Sequence, residues 1–239
     1  TTPETLTTIS NQAYKNCSGL NSLTLNEGLT SIGSYAFENC TGLKSITIPA
    51  TVTALSEGVF SGCTGLTEVN LPEGLTTIYR YAFQNCTSLV SIDLPDSITT
   101  MAARAFYNST KLAEVGYPAG WTTVLDYNYH STTYYGDGNS YYTSPFQGCT
   151  ALKKIEIDEG VTAIPKYAFR YVTALEEVVL SESLTSIDNY AFDGCTGLTS
   201  ITVSSGNTNY SSIDGVLFNK DATVLVQYPI GNTVTSYTI

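Results

Sequence analysis

Apolar positions in this chain follow one short pattern that returns at a fixed long interval. In Leu66 to Ser88, LTEVNLPEGLTTIYRYAFQNCTS, the residues Leu66, Val69 and Leu71 alternate with polar neighbours, as a short strand with one buried face requires. Pro72 ends that ladder by removing a donor, and Gly74 lets the chain turn. A second extended piece covers Leu75 to Ile78. The segment YRYAFQNC is too short for an independent helix, so the pattern predicts a single helical or 3₁₀ turn that drives Phe83 and Cys86 inward.

The same unit recurs before and after this stretch. Cys17, Cys40, Cys63 and Cys86 are each 23 residues apart, and the next step lands on Ser109. The beat resumes at Cys149, passes Val172 and reaches Cys195; the 40 residues from Ser109 to Cys149 are one period plus 17 extra. Self-similarity at such a period is the signature of a solenoid, in which each repeat covers its neighbour's apolar face. The predicted fold is therefore a β-rich solenoid of 23-residue coils with short strands and short turns. Eight or nine coils at about 4.8 Å per stacked strand make a body roughly 40 Å long.

The template L-x-x-[ILV]-x-[ILV]-P-x-x-[LV]-T-x-[IL]-x-x-x-A-F-x-x-C-[ST]-x resembles the BspA-like, Treponema-type leucine-rich repeat across most of residues 3 to 203. The resemblance implies a right-handed superhelix of the kind found in surface or secreted proteins of host-associated bacteria and some protists. Members of that family are linked to adhesion, so the resemblance also implies an extracellular or cell-surface location and a protein or glycan ligand.

Other rungs carry polar residues. Thr7, Thr30, Thr53, Thr76, Thr99, Thr122, Thr162 and Thr185 share one position, where stacked hydroxyls bond to neighbouring hydroxyls or backbone. Glu4, Glu27, Glu73, Asp96, Glu159 and Glu182 share another, interrupted by Ala50 and Ala119. Stacked like charges repel, leaving two readings: screening by water and counter-ions, or bridging by a divalent cation. No D-x-D-x-D-G loop supplies the oxygens calcium needs, so no metal and no cofactor is expected.

On the strands, Ser22 and Thr24, Ser45 and Thr47, Glu68 and Asn70, Ser91 and Asp93, Glu114 and Gly116, Lys154 and Glu156, Glu177 and Val179, and Ser200 and Thr202 flank the apolar position and should line the concave face. They are small or charged, which fits a solvated surface or a weak polar binding face.

The extra residues replace the three-residue link between the second extended piece and the turn, which places Leu125 to Ser144 on the outer side or edge. That insertion, LDYNYHSTTYYGDGNSYYTS, holds Tyr127, Tyr129, Tyr134, Tyr135, Tyr141, Tyr142 and the only histidine, His130. YYGDGNSYY reads as two strands around a glycine-rich turn, a protruding β-hairpin. Tyrosines give such a hairpin broad contact area for a partner, and equally for packing back on the coils.

After Val203 the repeat dissolves. Two apolar runs, GVLF and TVLVQY, joined at NKDA within Asn209 to Pro229 predict a second hairpin. Residues 204 to 239 are read as a spacer that covers the end of the stack and leads into a further coil, since TVTSYTI resembles the start of one. Residues 1 to 19 fit the second half of a coil rather than a signal peptide, so the stretch reads as an excerpt of a longer protein.

Composition narrows the function. A formal charge of −11 argues against nucleic acid and against an anionic membrane surface, and no apolar run reaches the length of a spanning helix. The six cysteines do not suit bridges, because equivalent positions in stacked coils hold Cβ atoms about 5 Å apart where a disulfide wants roughly 3.8 Å. They read as reduced, buried, small apolar groups, without a Cys-x-x-Cys or histidine partner for a metal. No pocket, base or phosphate loop points to an enzyme. Two functions remain open: an extracellular interaction or adhesion module, or a structural spacer of a larger surface protein with no ligand of its own.

Overall fold

The computed structural model describes residues 1–125 and 143–233. It is a β-solenoid in which a coil typically contributes two short parallel strands and one arm of turns. The first strands run through Ser45–Thr47, Glu68–Asn70, Ser91–Ile92, Glu114–Val115, Lys154–Glu156, Glu177–Leu180 and Ser200–Val203. The second strands run through Thr8–Ile9, Ser31–Ile32, Ala54–Leu55, Thr77–Ile78, Thr100–Ala102, Thr123–Leu125, Ala163–Ile164 and Ser186–Ile187. Paired strands are offset by one period: Ile46 lies opposite Val69, and Ile78 opposite Met101. One period is therefore one rung, and the two-residue alternation points the same side chains inward in every coil.

The arm is not helical. It is a chain of linked turns, and the expectation of a helical or 3₁₀ turn is corrected here. Two positions four residues apart take positive φ in coil after coil, as at Tyr35 and Asn39, Gly58 and Gly62, Tyr81 and Asn85, and Arg104 and Asn108. A left-handed residue at the third place of each turn is the type II pattern and stops helical propagation. Backbone donors then divide by parity. Ala82 N bonds to Tyr79 O at 3.3 Å and Gln84 N to Tyr81 O at 3.0 Å within the coil, whereas Phe83 N donates to Ala105 O at 2.8 Å and Asn85 N to Tyr107 O at 2.9 Å in the next. Gly58, Phe60 and Gly62 repeat the cross-coil set with Arg80, Ala82 and Gln84.

Inside the arm, aromatic rings form one column. Tyr14, Phe37, Phe60, Phe83, Phe106, Phe146, Phe169 and Phe192 stack in order, with centroids 5.1 to 6.0 Å apart and rings within 17° of parallel. Such pairs add about 0.5–1.5 kcal/mol each beyond their buried area.

Beside the rings the cysteine rung does more than fill space. All six cysteines are free, and all but Cys17 are buried. Their Sγ atoms donate to the carbonyl of the aromatic rung one coil back: Cys63 to Phe37 O at 3.1 Å, Cys86 to Phe60 O at 3.3 Å, Cys149 to Phe106 O at 3.2 Å and Cys195 to Phe169 O at 3.1 Å. Ser109 makes the same bond to Phe83 O at 2.6 Å, which explains why serine occupies that step. Val172 keeps only the apolar part of the role.

The threonine rung also bonds backward, Thr30, Thr76 and Thr185 reaching the carbonyls of Thr7, Thr53 and Thr162. The acidic rung is not merely a row of repelling charges. Glu27 accepts the Ala50 N–H at 3.3 Å, Asp96 the Ala119 N–H at 2.8 Å and Glu159 the Glu182 N–H at 2.9 Å. The two alanine gaps are thus coils whose exposed amide is satisfied by the carboxylate below.

At the coil that carries the insertion, Tyr117 and Trp121 replace the aliphatic residues of other coils and are buried. Trp121 meets Phe146 and Phe169 edge-on at 6.2 Å, and Tyr117 donates to Ala163 O at 3.3 Å across the step. Both strand ladders are interrupted at this coil, between Thr123–Leu125 and Ala163–Ile164 and between Glu114–Val115 and Lys154–Glu156, as they also are between Ser31–Ile32 and Ala54–Leu55 and between Glu68–Asn70 and Ser91–Ile92.

Beyond Val203 lies a three-stranded antiparallel sheet, Tyr210–Ile213, Val216–Asn219 and Leu225–Gln227. The hairpin expected there is present, and Tyr210–Ile213 adds a strand that the apolar runs did not mark. The sheet continues the stack: Ile201 N donates to Gly215 O at 2.8 Å, and Gly231 N to Leu198 O at 2.7 Å. Val216, Leu217 and Phe218 are buried. Of the further coil expected at 233–239, all but Thr233 lies outside the described residues.

Three outcomes follow from these ladders. In chemical denaturation, Phe83→Ala should cost about 3–5 kcal/mol, whereas Cys86→Ser should be near neutral and Cys86→Val should cost only about 1 kcal/mol. With a thiol reagent at pH 8, the native chain should titrate one cysteine, Cys17, and the denatured chain all six. Burial pushes the Cys63, Cys149 and Cys195 thiols up to about 12 from an ordinary 9.0. The folded state therefore holds these protons more tightly, and its stability should fall as pH rises from about 9 toward 12. Melting temperature against pH would show this slope flattened in a variant with those three cysteines changed to serine.

Candidate functional site

The insertion leaves and re-enters the solenoid on the arm side, and its two ends are clamped to consecutive backbone amides. Leu125 O accepts Ala103 N–H at 3.0 Å, and Ser144 O accepts Arg104 N–H at 3.0 Å. Ser144, fully buried, donates its hydroxyl to Ala168 O at 2.6 Å while Phe146 N donates back to it at 2.9 Å. Ser144 N also bonds to Arg170 O at 3.3 Å. The pedestal of the insertion is thus tied to the coil before it and the coil after it. Tyr127, Tyr129, His130, Tyr134, Tyr135, Tyr141 and Tyr142, with the hairpin expected to carry them, lie outside the described residues.

Around this pedestal the arm face is rich in tyrosine and cations. All three arginines of the sequence, Arg80, Arg104 and Arg170, lie on arms, as do Lys15 and Lys166. On one side Arg80 lies over the Tyr81 ring at 4.5 Å and Arg104 over Tyr107 at 5.4 Å, while Arg104 Nε also reaches Gln147 Oε1 at 3.1 Å. On the other side Tyr167 and Tyr190 stack at 5.8 Å. Lys166 sits 4.8 Å from the first ring and 5.6 Å from the second. Arg170 lies 4.6 Å from the Tyr171 ring and is paired with Asp193 at 2.7 Å. Such contacts hold rings and cations in fixed relation at a surface.

These arm residues were not singled out from the sequence, because the template leaves their position variable. The signal was the recurrent Tyr-Ala-Phe at Tyr35, Tyr81, Tyr167 and Tyr190, with a basic residue before it at Arg80 and Lys166.

The other faces offer less. The strand-face residues from Ser22 to Glu156 are exposed, apart from Gly116, and bear no aromatic group; Glu177, Val179, Ser200 and Thr202 are half-buried at the end where the antiparallel sheet packs. Lys154 there pairs with Glu156 at 2.6 Å. Among the described residues no group of three or more His, Cys, Asp or Glu is placed to hold a metal ion, and no helix is long and apolar enough to cross a membrane.

Known proteins give the geometry its context. A leucine-rich repeat protein from Bacteroides ovatus superposes with a TM-score of 0.62 at 26% identity, covering 85% of this chain and 48% of its own. The Treponema pallidum leucine rich repeat protein superposes at 0.54 with 25% identity, covering 71% and 72%. The chain spans about half the length of the Bacteroides protein. No curated protein matches it. The repeat solenoid is a scaffold fold, and these proteins share that architecture. The family model for the BspA type leucine rich repeat region, in six copies, matches residues 1–135 and 139–237, and the chain belongs to that family.

Proposed function

We propose that this chain is the interaction scaffold of a cell-surface protein, without catalytic activity, and that it engages a host protein, matrix glycoprotein or glycan. The contact residues in this reading are Tyr127, Tyr129, His130, Tyr134, Tyr135, Tyr141 and Tyr142 of the insertion. The observation that carries it is the double clamp at Leu125 and Ser144, which fixes both ends of a tyrosine-rich segment on a rigid stack. A segment held at both ends gives up less freedom on binding, and tyrosine supplies contact area at small entropic cost. Membership in a leucine-rich repeat family whose solenoids serve as interaction scaffolds supports the same class. The net charge of −11 disfavours nucleic acid as the partner.

A second reading, a spacer that extends other domains from the surface, is favoured by the strand face, whose small and charged residues lack an aromatic anchor.

Excising residues 126–142 and restoring a short link separates the two. Because Leu125 and Ser144 are anchored to adjacent amides, the shortened chain should melt within a few degrees of the parent. Surface plasmon resonance on a panel of matrix glycoproteins should show binding by the parent and a loss of at least about tenfold, or 1.4 kcal/mol, after excision. Unchanged binding removes the insertion as the site; absence of binding by the parent across the panel favours the spacer.

A further inference from the structure

The left-handed rung of the arms carries Gln12, Tyr35, Gly58, Tyr81, Arg104, Tyr167 and Tyr190, all at positive φ. Glycine suits that backbone and tyrosine does not, so a ring there calls for a reason beyond the turn itself. Elsewhere on this rung each ring lies against the coil that follows: a Cβ placed on Gly58 would lie 2.2 Å from the Tyr35 ring, Tyr81 meets Tyr107 edge-on at 6.5 Å, and Tyr167 stacks on Tyr190 at 5.8 Å. Tyr190 has no following arm to lie against. The next 23-residue step lands on Ile213, in the antiparallel strand Tyr210–Ile213 rather than in another arm, and Tyr190 is 55% exposed. The ring is backed by Tyr167 and edged by Lys166 and by Arg170 at 5.7 Å, and Arg170 in turn pairs with the Asp193 carboxylate. Asp188, two residues before Tyr190, is also exposed.

We propose that Tyr190, with Lys166, Arg170 and Asp193, forms a carbohydrate site that takes an uncharged sugar through stacking on the exposed ring face. The proposal rests on the interaction-scaffold reading and assigns it a further contact residue, Tyr190, outside residues 125–144. A sugar presents an apolar C–H face beside hydroxyls that both donate and accept. The cluster supplies the matching set: a flat ring held from behind, cationic donors and a carboxylate acceptor. Charge decides against an anionic ligand. The Arg170 guanidinium is already neutralised by Asp193 at 2.7 Å, and the chain as a whole carries −11.

Two variants separate the site from the fold. Tyr190→Gly installs the residue that Gly58 already supplies on this rung and should melt no lower than the parent, while Tyr190→Phe keeps the ring. Isothermal titration with soluble mannan, dextran and galactan should show binding to at least one of them, insensitive to added salt. Tyr190→Gly should weaken it by about tenfold or more, and Tyr190→Phe by less than about threefold. Absence of binding to all three, equal binding by Tyr190→Gly, or binding abolished by salt would each overturn the proposal. The same proteins on a matrix glycoprotein before and after enzymatic deglycosylation distinguish this failure from that of the scaffold reading. Binding that survives deglycosylation and ignores Tyr190→Gly leaves the scaffold intact and removes the sugar site, whereas binding lost with the glycans and with the ring supports it.

Discussion

The structure depends on a division of backbone donors within the arm. Each turn needs one N–H to close on itself, and the alternate N–H is left to reach the coil ahead, as Gln84 and Phe83 do side by side. A helix would consume every donor internally and leave adjacent arms joined only by side chains. The left-handed residues at Tyr81 and Asn85 prevent that outcome, and so the arm behaves as a third ladder beside the two short strand ladders. Strands of two to four residues are too short to hold a stack alone. The column of phenylalanines and the thiols that bond backward to it complete the third side and make each coil's stability a property shared with its neighbours.

Much of this was legible in the sequence because period and burial are the same fact seen twice. The spacing of Leu66, Val69 and Leu71 gave the strand face, Phe83 and Cys86 gave the inward rung, and the 17-residue offset located the insertion in the link before Phe146. The chemistry between coils was not legible. By spacing alone Cys86 is a small, buried apolar group, yet its geometry makes it a donor to Phe60 O, which is visible only once the offset of 26 residues is brought into contact. Glu27 and Asp96 were read as charges in a row, whereas each meets an amide of the coil above at an alanine. The pattern of the arm predicts a helical turn because positive φ at Tyr81 leaves no mark in composition: tyrosine is an unusual residue there.

The candidate site follows the same logic. The tyrosines of the insertion stood out by density, and their pedestal, Leu125 and Ser144, shows how a regular stack accommodates a long insertion without losing register on the arm. The strand ladders are broken at that coil, with Tyr117 and Trp121 wedged against Phe169, while the phenylalanine column runs on from Phe106 to Phe146 to Phe169. The arm face, rather than the strand face, gathers the aromatic and cationic groups. Its tyrosines escaped notice because each is one variable position per coil, and only stacking brings Tyr167 against Tyr190.

Native-state hydrogen exchange read amide by amide along the arms tests the central claim most directly. The account predicts slow exchange of comparable depth at both parities, at Val59, Ser61, Ala82 and Gln84, which bond within their coil, and at Phe60, Gly62, Phe83 and Asn85, which bond to the next. Rapid exchange of the second set beside a protected first set would mean that adjacent arms are held together by side chains alone, and would contradict it.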